Sequence, residues 1–230
     1  MHDLRSDLTK LWRAASRLAP ASGGRTVMFV AAEAGEGTSS VAASFALMAA
    51  EQATRTAWLV DLDFMRNPDF EAFRDGFARK VGKPGRAYDA ALKTEQIYSV
   101  APPAPGASGG QKFLTAHAVE GTKLLVTRFR EERLLPGQRV GLRPSPDWWG
   151  ALRKAADWII VDAPALSESS AALTFANQMD GVVLVVRADR TSVEDVASVT
   201  QEIENHGGRV VGAVMNRIRA DARLADRLGV

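Results

Sequence analysis

The sequence of 230 residues predicts an α/β fold, a doubly wound and mainly parallel sheet with helices on both faces. Three observations support this prediction. Short apolar runs alternate with segments of helical periodicity along most of the chain. Several of these runs are continuously apolar, which is typical of strands buried on both faces of a parallel sheet. A loop with two glycines joins the first apolar run to the next helical segment, an arrangement that places helix amides near a bound phosphate.

The composition indicates an ordinary globular protein and argues against several classes of function. Hydrophobic residues make up 46% of the chain and charged residues 24%, which is enough apolar material for a sizeable core. A net charge of +2 without a long basic run does not favour nucleic-acid binding. The lack of cysteine excludes disulfides and thiolate chemistry, and three widely separated histidines do not favour a zinc site.

No secretory or membrane-spanning segment is predicted. The N-terminal residues are charged and lack the apolar core of a signal peptide. No apolar run approaches the roughly 18 residues that span a bilayer. We therefore expect a cytoplasmic location.

The first 24 residues are predicted to form a helix and a linker in front of a single domain, residues 25–230. Apolar residues recur at steps of three and four between Asp3 and Leu18, which indicates an amphipathic helix. Pro20 and the small residues that follow it end this helix. The helix can pack on its own domain or on a neighbouring molecule, and the sequence leaves both arrangements open.

The segment from 25 to 40 is the candidate phosphate-binding region. The apolar run Thr26–Ala31 predicts a strand, and a helical pattern begins at Thr38. Between them, Gly35 and Gly37 let the backbone turn and approach a ligand closely. The first amides of the helix lack intrahelical partners and would point at an anion.

This segment departs from the phosphate-loop pattern G-x-x-x-x-G-K-[ST] at two positions. Ala32 stands where the first glycine is expected, and Thr38 stands where the lysine is expected. A strand-to-helix turn capped by Thr38 or Ser39 is therefore an alternative interpretation.

Acidic residues follow two other predicted strands. Thr56–Val60 is followed by Asp61 and Asp63, and the apolar run that starts at Trp158 ends in Asp162. Ligands bind at the carboxyl edge of open α/β sheets, so these carboxylates are placed to hold Mg²⁺ or to orient a water molecule. A solvated strand end is the alternative.

The remaining elements complete the alternation of strands and helices. Helices are predicted at Asp69–Lys80, from Trp148, at Ser167–Gln178, at Ser192–Asn205 and at Arg217–Leu228. Strands are predicted at Ile97–Val100, Lys123–Thr127, Gly181–Val186 and Arg209–Met215. Residues 81–146 have a weaker pattern that includes a Pro- and Gly-rich loop at 101–110, and no chemistry is assigned to them.

The order of these motifs resembles one family. The glycine loop is followed by D-x-D-x-x-R-x-P, by D-x-P, by G-V-x-L-V-V-R and by V-x-G-x-V-x-N-R. This combination is similar to the bacterial tyrosine kinases of capsule and exopolysaccharide export, which share a superfamily with the MinD and ParA ATPases. The resemblance covers roughly residues 1–68 and 158–217, with only loose similarity between them.

The resemblance implies a nucleotide-binding loop that matches the family pattern G-E-G-K-[ST]-[ST]. The family lysine, which binds the β- and γ-phosphates, falls at Thr38, so the Walker A motif is degenerate here. The hydroxyl that binds Mg²⁺ falls at Ser39. The signature lysine of MinD and ParA would fall at Glu33 and is also absent. The implied nucleotide-binding residues are Gly35, Glu36, Gly37, Thr38, Ser39 and Ser40.

The resemblance also assigns roles to the acids and to an asparagine. Asp61 and Asp63 match the second acidic motif, and Asp162 matches the Walker B acid. These three are the implied catalytic residues, with Ser39, Asp61 and Asp162 as the ligands of Mg²⁺. Asn216 matches the asparagine on the adenine side of the nucleotide, although it is also placed to cap the following helix.

The N-terminal helix carries a further match. The kinases have E-x-x-R-x-x-R at this place, where it packs one protomer on the next in a ring. This chain has Asp7, Lys10 and Arg13 at the same spacing, which implies a homo-oligomer. Lysine lacks the bidentate fork of arginine, and a surface charge triple without an interface is the alternative.

The resemblance implies a kinase-like protein that regulates a membrane polysaccharide co-polymerase in exopolysaccharide, capsule or holdfast-type export. We expect it at the inner face of the cytoplasmic membrane through that partner. Binding of ATP or ADP with Mg²⁺ should be weakened or lost, because a charge-assisted hydrogen bond is worth roughly 1.5–3 kcal/mol, or about one to two powers of ten in affinity. Arg66 is a candidate to replace the missing charge.

Two other functions remain open at this point. The retained acids favour an active ATPase or tyrosine kinase with an atypical loop. A MinD- or ParA-like positioning ATPase is less favoured, because both diagnostic lysines are absent. The tyrosine-rich tail of the kinases has no counterpart in residues 220–230, so tail autophosphorylation is not expected and the acceptors left are Tyr88 and Tyr98.

Overall fold

The computed structural model describes residues 1–78, 81–103, 112–188 and 190–216, and strands and helices alternate through them. The strands are β1 Arg25–Val30, β2 Ala57–Asp61, β3 Pro84–Asp89, β4 Tyr98–Ala101, β5 Leu114–Val119, β6 Leu124–Phe129, β7 Arg139–Leu142, β8 Trp158–Asp162, β9 Gly181–Arg187 and β10 Val210–Asn216. The helices are α1 Thr9–Ala15, α2 Thr38–Gln52, α3 Pro68–Arg74, α4 Pro146–Ala155, α5 Ala171–Phe175 and α6 Val193–Asn205.

Among these described residues, eight strands form one sheet in the order β10-β9-β1-β8-β2-β6-β5-β3. The pairs from β10 to β6 are parallel, and β5 and β3 are added antiparallel at the end. The strands β4 and β7 form a separate antiparallel pair. The predicted α/β fold with a mainly parallel sheet is therefore confirmed.

The sheet is covered on both faces, as the continuous apolar strands predicted. Val27 and Phe29 of β1 pack with α2, whereas Met28 and Val30 belong to the core on the other face with α4, α5 and α6. All of these strand residues are fully buried. Alternate side chains of one strand therefore fill two separate cores, which is why the last four residues of β1 are all apolar.

Two of the helices that follow β1 are shorter than the sequence predicted. The helix expected over Asp69–Lys80 ends at Arg74, because Gly76 takes a left-handed conformation with φ +86° just beyond it. The last two residues of the expected helix lie outside the described residues. The helix expected over Ser167–Gln178 is the short α5 followed by a 3-10 turn at Ala176–Gln178.

The N-terminal segment is a 3-10 turn at Arg5–Asp7 followed by α1, a shorter helix than the sequence predicted. The ring centroid of Trp12 in α1 lies 5.3 Å from that of Phe45 in α2 and 4.8 Å from that of Trp158 in β8. Of the two arrangements that the sequence left open, α1 packs on its own domain here. This contact leaves the opposite side of the helix exposed.

The linker after α1 is held by hydrogen bonds rather than hanging free. Asp180 accepts hydrogen bonds from the amides of Ala21, at 2.8 Å, and of Thr26, at 2.7 Å. A side chain on Gly24 would place its Cβ 2.2 Å from the carbonyl oxygen of Ala156, so glycine is required there. The helix predicted over Arg217–Leu228 and most of the loop predicted at 101–110 lie outside the described residues. None of the described helices has the length and apolar character needed to cross a bilayer.

Candidate functional site

The fold brings the glycine loop and the acidic strand ends to one edge of the sheet. In the register of β2 and β8, Asp61 lies beside Asp162, and Phe29 of β1 lies on the other side of Asp162. The loop of residues 31–37 leaves β1 at this same edge. Parallel neighbours end together, so residues far apart in the sequence meet at their carboxyl ends.

The loop is built on two glycines in left-handed conformations, Gly35 with φ +82° and Gly37 with φ +96°. At Gly37 a side chain would also clash, because its Cβ would lie 2.2 Å from Nδ2 of Asn216. That Nδ2 donates a hydrogen bond of 2.8 Å to the carbonyl oxygen of Glu36. Only glycine therefore satisfies both the backbone conformation and the close approach at position 37.

Helix α2 begins at Thr38 with Gly37 as its N-cap, and no side chain caps its first turn within the described structure. The alternative of a turn capped by Thr38 or Ser39 is thus not what the structure shows. The first amides of α2 keep their capacity to bind an anion, as in phosphate-binding loops.

Glu36 supports the loop from behind. Its side chain is 2% exposed. Its carboxylate accepts a hydrogen bond from the hydroxyl of Thr191 and one of 3.3 Å from the amide of Glu33. The hydrogen bonds of the Glu36 side chain, together with the one that Asn216 donates to its carbonyl oxygen, fix the loop. Neither Glu36 nor Asn216 lines the cavity in front of the loop.

A cavity of about 430 Å³ opens in front of the loop. Most residues implied for nucleotide binding and chemistry line it, and Asp61 lies just behind its wall. Arg66 supplies a cationic side chain at this cavity, and Thr38 supplies none. The predicted site residues on the cavity wall are Gly35, Gly37, Thr38, Ser39, Ser40, Asp63 and Asp162.

Arg66 lines the cavity and is paired with two acids. Its guanidinium bonds the carboxylate of Asp63 and lies 2.9 Å from Oε2 of Glu168. The hydrogen bonds that Arg66 donates to Glu168 and Asp63 raise its pKa above the usual value. The charge of Arg66 is therefore partly neutralised by its own neighbours, although its side chain remains 60% exposed.

Asp61 is held rigidly and is almost completely buried. Its two carboxylate oxygens accept hydrogen bonds from the amides of Asp63, at 2.9 Å, and of Asp69, at 3.1 Å. Its own amide donates to the hydroxyl of Thr127 at 2.9 Å. Burial raises the pKa of Asp61 well above its ordinary value, and the negative charge of Asp162 adds to this effect.

Asp162 forms the base of the cavity and is 3% exposed. Burial raises its pKa to about 7, against the opposing hydrogen bond from the hydroxyl of Ser39 and with a contribution from the charge of Asp63. Its Oδ1 atom is buried and has no hydrogen-bond partner among the described residues. A carboxylate with an unpaired buried oxygen beside a serine hydroxyl has the donor chemistry of a Mg²⁺ site.

The sequence did not indicate the role of a fourth acid, Asp69. Oxygen atoms of Asp61, Asp69 and Asp162 all lie within 4.8 Å of one another. Asp69 follows Pro68 at the start of α3, where an acid is favoured simply by the helix dipole. Its position beside the strand ends depends on how α3 packs, so no sequence signal separates it from an ordinary surface acid.

These donors fit a hard divalent cation. The buried carboxylates and the hydroxyl of Ser39 are the oxygen ligands that Mg²⁺ prefers. Ser39, Asp61 and Asp162 would hold it, and when bound it would neutralise charge on the phosphates of a nucleotide.

The three residues implied at an oligomer interface lie together on the N-terminal segment. Asp7 ends the 3-10 turn, and Lys10 and Arg13 follow on α1. All three are exposed. The side of α1 that Trp12 does not bury is thus available, and an oligomer stays a prediction.

Known proteins are similar to this chain in fold over most of its length and in sequence over a short part. No family model matches the chain. The tyrosine-protein kinase CpsD of Streptococcus agalactiae serotype III is 29% identical over 68 residues, which is 30% of this chain and 29% of that protein. The alignment thus spans less than a third of the curated relative.

Two groups of solved structures share the fold. The kinase domain of VpsO has a TM-score of 0.61 at 18% identity and covers 94% of both chains. The cell-division protein MinD of Aquifex aeolicus has a TM-score of 0.54 at 18% identity and covers 90% of this chain and 73% of that one. The chain therefore has the phosphate-loop NTPase-like fold that bacterial tyrosine-kinase domains share with MinD, as the order of its motifs predicted.

Proposed function

We propose that this protein is a kinase-like component of an exopolysaccharide, capsule or holdfast-type export system that binds Mg-nucleotide weakly and transfers little or no phosphate. The observation that carries this proposal is that the loop, the helix start and the acids of a phosphate site are present, while the lysine that would bind the phosphates is absent. The left-handed loop, the uncapped helix start and the buried acids are all in place, while Thr38 occupies the position of the phosphate-binding lysine.

Each part of the site has a defined role in this proposal. The amides of residues 35–40 bind the phosphates, and Ser39, Asp61 and Asp162 hold Mg²⁺. Asp63, exposed to the cavity, is placed to orient an accepting hydroxyl. Without a lysine, the negative charge that develops on the transferred phosphoryl group is stabilised less, so catalysis should suffer more than binding.

The partner and location follow from the family resemblance and are part of the proposal. The protein would bind a membrane polysaccharide co-polymerase of the chain-length determinant type at the inner face of the cytoplasmic membrane. In this arrangement the nucleotide-bound state, rather than turnover, would signal to the partner.

The first test is a calorimetric titration with ATP and ADP, with and without Mg²⁺, on the wild type and on Thr38→Lys. We expect weak binding by the wild type and an affinity roughly 10- to 100-fold higher for Thr38→Lys. The control Thr38→Met adds a chain of similar length without charge and should not gain affinity. Absence of binding by both the wild type and Thr38→Lys would contradict the assignment of this loop as a phosphate site.

An active ATPase or tyrosine kinase is the second candidate, and the grouping of Asp61, Asp63 and Asp162 favours it. Phosphate release from ATP and phosphotyrosine formation distinguish it from the first proposal. Tyr88 is 47% exposed, whereas Tyr98 is 6% exposed, so autophosphorylation would modify Tyr88. Turnover that Asp162→Asn abolishes would establish the enzyme and overturn the first proposal.

Polymer export in cells gives a complementary test. Asp61→Asn and Asp162→Asn at normal protein level should reduce export if nucleotide binding matters. Unchanged export with both variants would favour a scaffold that works without the site. A positioning ATPase of the MinD or ParA kind is the least supported candidate, because neither diagnostic lysine is present.

A further inference from the structure

Asp69 is a completely buried carboxylate whose function is not explained by the fold. Its side chain is 0% exposed, and both of its carboxylate oxygens lack a hydrogen-bond partner within the described structure. It is the second residue of α3, directly after Pro68. A buried carboxylate is costly unless a hydrogen-bond donor, a proton or a cation satisfies it, so the oxygens of Asp69 need such a partner.

The unpaired oxygens of Asp69 belong to a cluster rather than to a void. One oxygen each from Asp61, Asp69 and Asp162 lie within 4.8 Å of one another. Asp162 contributes a third unpaired buried oxygen, Oδ1. The oxygens of Asp61 each accept one amide hydrogen, which leaves a further lone pair on each.

The nearby cation does not compensate this cluster. Arg66 is paired with Asp63 and Glu168, and its side chain is 60% exposed. Three carboxylates are thus buried together while the guanidinium is paired elsewhere. Such a group needs a positive charge or protons among its oxygens.

The spacing of the oxygens suits a divalent cation. Hard cations bind oxygen at about 2.0–2.6 Å, so ligands on opposite sides of one ion are roughly 4–5 Å apart. The separation of up to 4.8 Å in this cluster lies in that range. An ion at the centre of the three carboxylates would supply positive charge to a cluster in which both oxygens of Asp69 and Oδ1 of Asp162 have no hydrogen-bond partner within the described structure.

We propose that Asp61, Asp69 and Asp162 bind one divalent cation of the Mg²⁺ or Mn²⁺ type in the absence of nucleotide, with Asp69 as an additional ligand. This inference rests on the proposed function only because it places the ion at the sheet edge where that function places Mg²⁺. The bound cation supplies positive charge beside the glycine loop, in which Thr38 stands in place of the lysine.

The experiment titrates nucleotide-free protein with Mn²⁺ and follows the free ion by electron paramagnetic resonance. The wild type should bind one Mn²⁺, and excess Mg²⁺ should displace it. Asp69→Asn, which keeps the shape and removes the charge, should lower the affinity at least tenfold. Asp75→Asn is the matched control just after the same helix, because its side chain is 70% exposed, and it should leave the affinity unchanged.

The outcomes separate this inference from the proposed function. No Mn²⁺ binding without nucleotide, or equal affinity in Asp69→Asn and the wild type, would overturn the inference. Either result together with Mg-ATP binding by the wild type would leave the proposed function intact. Circular dichroism checks the folding of each variant, and Asp69→Ser makes the same removal of charge if Asp69→Asn does not fold.

Discussion

At the scale of single residues, Gly35 and Gly37 have similar backbone angles but different surroundings. A Cβ at Gly35 would meet no atom within 4 Å, whereas a Cβ at Gly37 would lie 2.2 Å from Nδ2 of Asn216. A left-handed conformation alone costs a non-glycine residue roughly 1–2 kcal/mol. At position 37 only, the contact would also displace the side-chain amide of Asn216 and disturb its hydrogen bond to the carbonyl oxygen of Glu36.

We therefore expect Gly37→Ala to destabilise the protein by about 2–4 kcal/mol and Gly35→Ala by about 1–2 kcal/mol. Gly37→Ala should also lower Mg-nucleotide affinity at least tenfold, because the amides at the start of α2 would move. Denaturant unfolding and calorimetric titration measure the two effects. Equal losses in both variants would show that the contact with Asn216 does not shape the loop.

The carboxylate cluster makes stability depend on pH in a defined direction. The pKa of Asp162 is raised to about 7, whereas an aspartate in an unfolded chain has a pKa of about 3.9. Between these values the folded protein binds more protons than the unfolded chain, so the free energy of unfolding falls as the pH rises. Burial raises the pKa values of Asp61 and Asp69 in the same direction.

We therefore compare the free energies of unfolding of the wild type and Asp162→Asn with a chelator present. The wild-type value minus the variant value should be larger near pH 5 than near pH 8. The comparison with the variant removes contributions from other groups. Adding Mg²⁺ should reduce the difference, because a cation favours the ionised carboxylates. A difference between the two proteins that does not change with pH would contradict the raised pKa.

At the scale of elements, Trp12 is the aromatic side chain that packs α1 on the domain, next to the smaller buried side chains of Leu8 and Ala15. The Trp12 ring contacts the rings of Phe45 and Trp158, and α1 itself is only seven residues long. Trp12→Ala should destabilise the protein by roughly 2–4 kcal/mol and release α1. Thermal unfolding measures this loss, and limited proteolysis shows the release.

Lys10→Ala on the exposed side of α1 is the control, and it should change stability by less than about 0.5 kcal/mol. If both variants have the same stability, α1 is not anchored by the aromatic contact.

Also at the element scale, the strands of residues 81–146 were the least predictable. β3 and β7 were not predicted, because their residues are largely exposed and lack a continuous apolar run. β5 was missed although it is mostly buried. By contrast, β1, β2, β8 and β9 lie inside the parallel part of the sheet. Strands buried on both faces are continuously apolar, and such runs are easily recognised in the sequence.

At the scale of the whole molecule, the exposed charges of α1 give the prediction of a homo-oligomer. If Lys10 and Arg13 bind a neighbouring molecule, the double variant Lys10→Ala and Arg13→Ala should lower the measured mass to that of a monomer. Light scattering after size-exclusion chromatography gives this mass.

Arg17→Ala provides the control, because Arg17 is exposed just beyond the end of α1 and should not affect assembly. A wild type that is monomeric at high concentration, with and without Mg-nucleotide, would contradict the oligomer prediction.

The sequence by itself determined the class of fold and the place of the site. Continuous apolar runs identified the parallel strands, and the acids at the ends of two of these runs placed Asp61 and Asp162 at the carboxyl edge of the sheet, because strand ends are local features of the chain. The absence of a lysine at Thr38 was equally visible, since it is a matter of residue identity.

Only the tertiary structure decided what surrounds these residues. The burial of Glu36 behind the loop, the contact of Asn216 with Gly37 and the place of Asp69 in the carboxylate cluster each join segments that are distant in sequence or set by the packing of a helix. Periodicity and motifs describe neighbours along the chain, whereas packing and charge depend on neighbours in space, and those are fixed only when the sheet and its helices assemble.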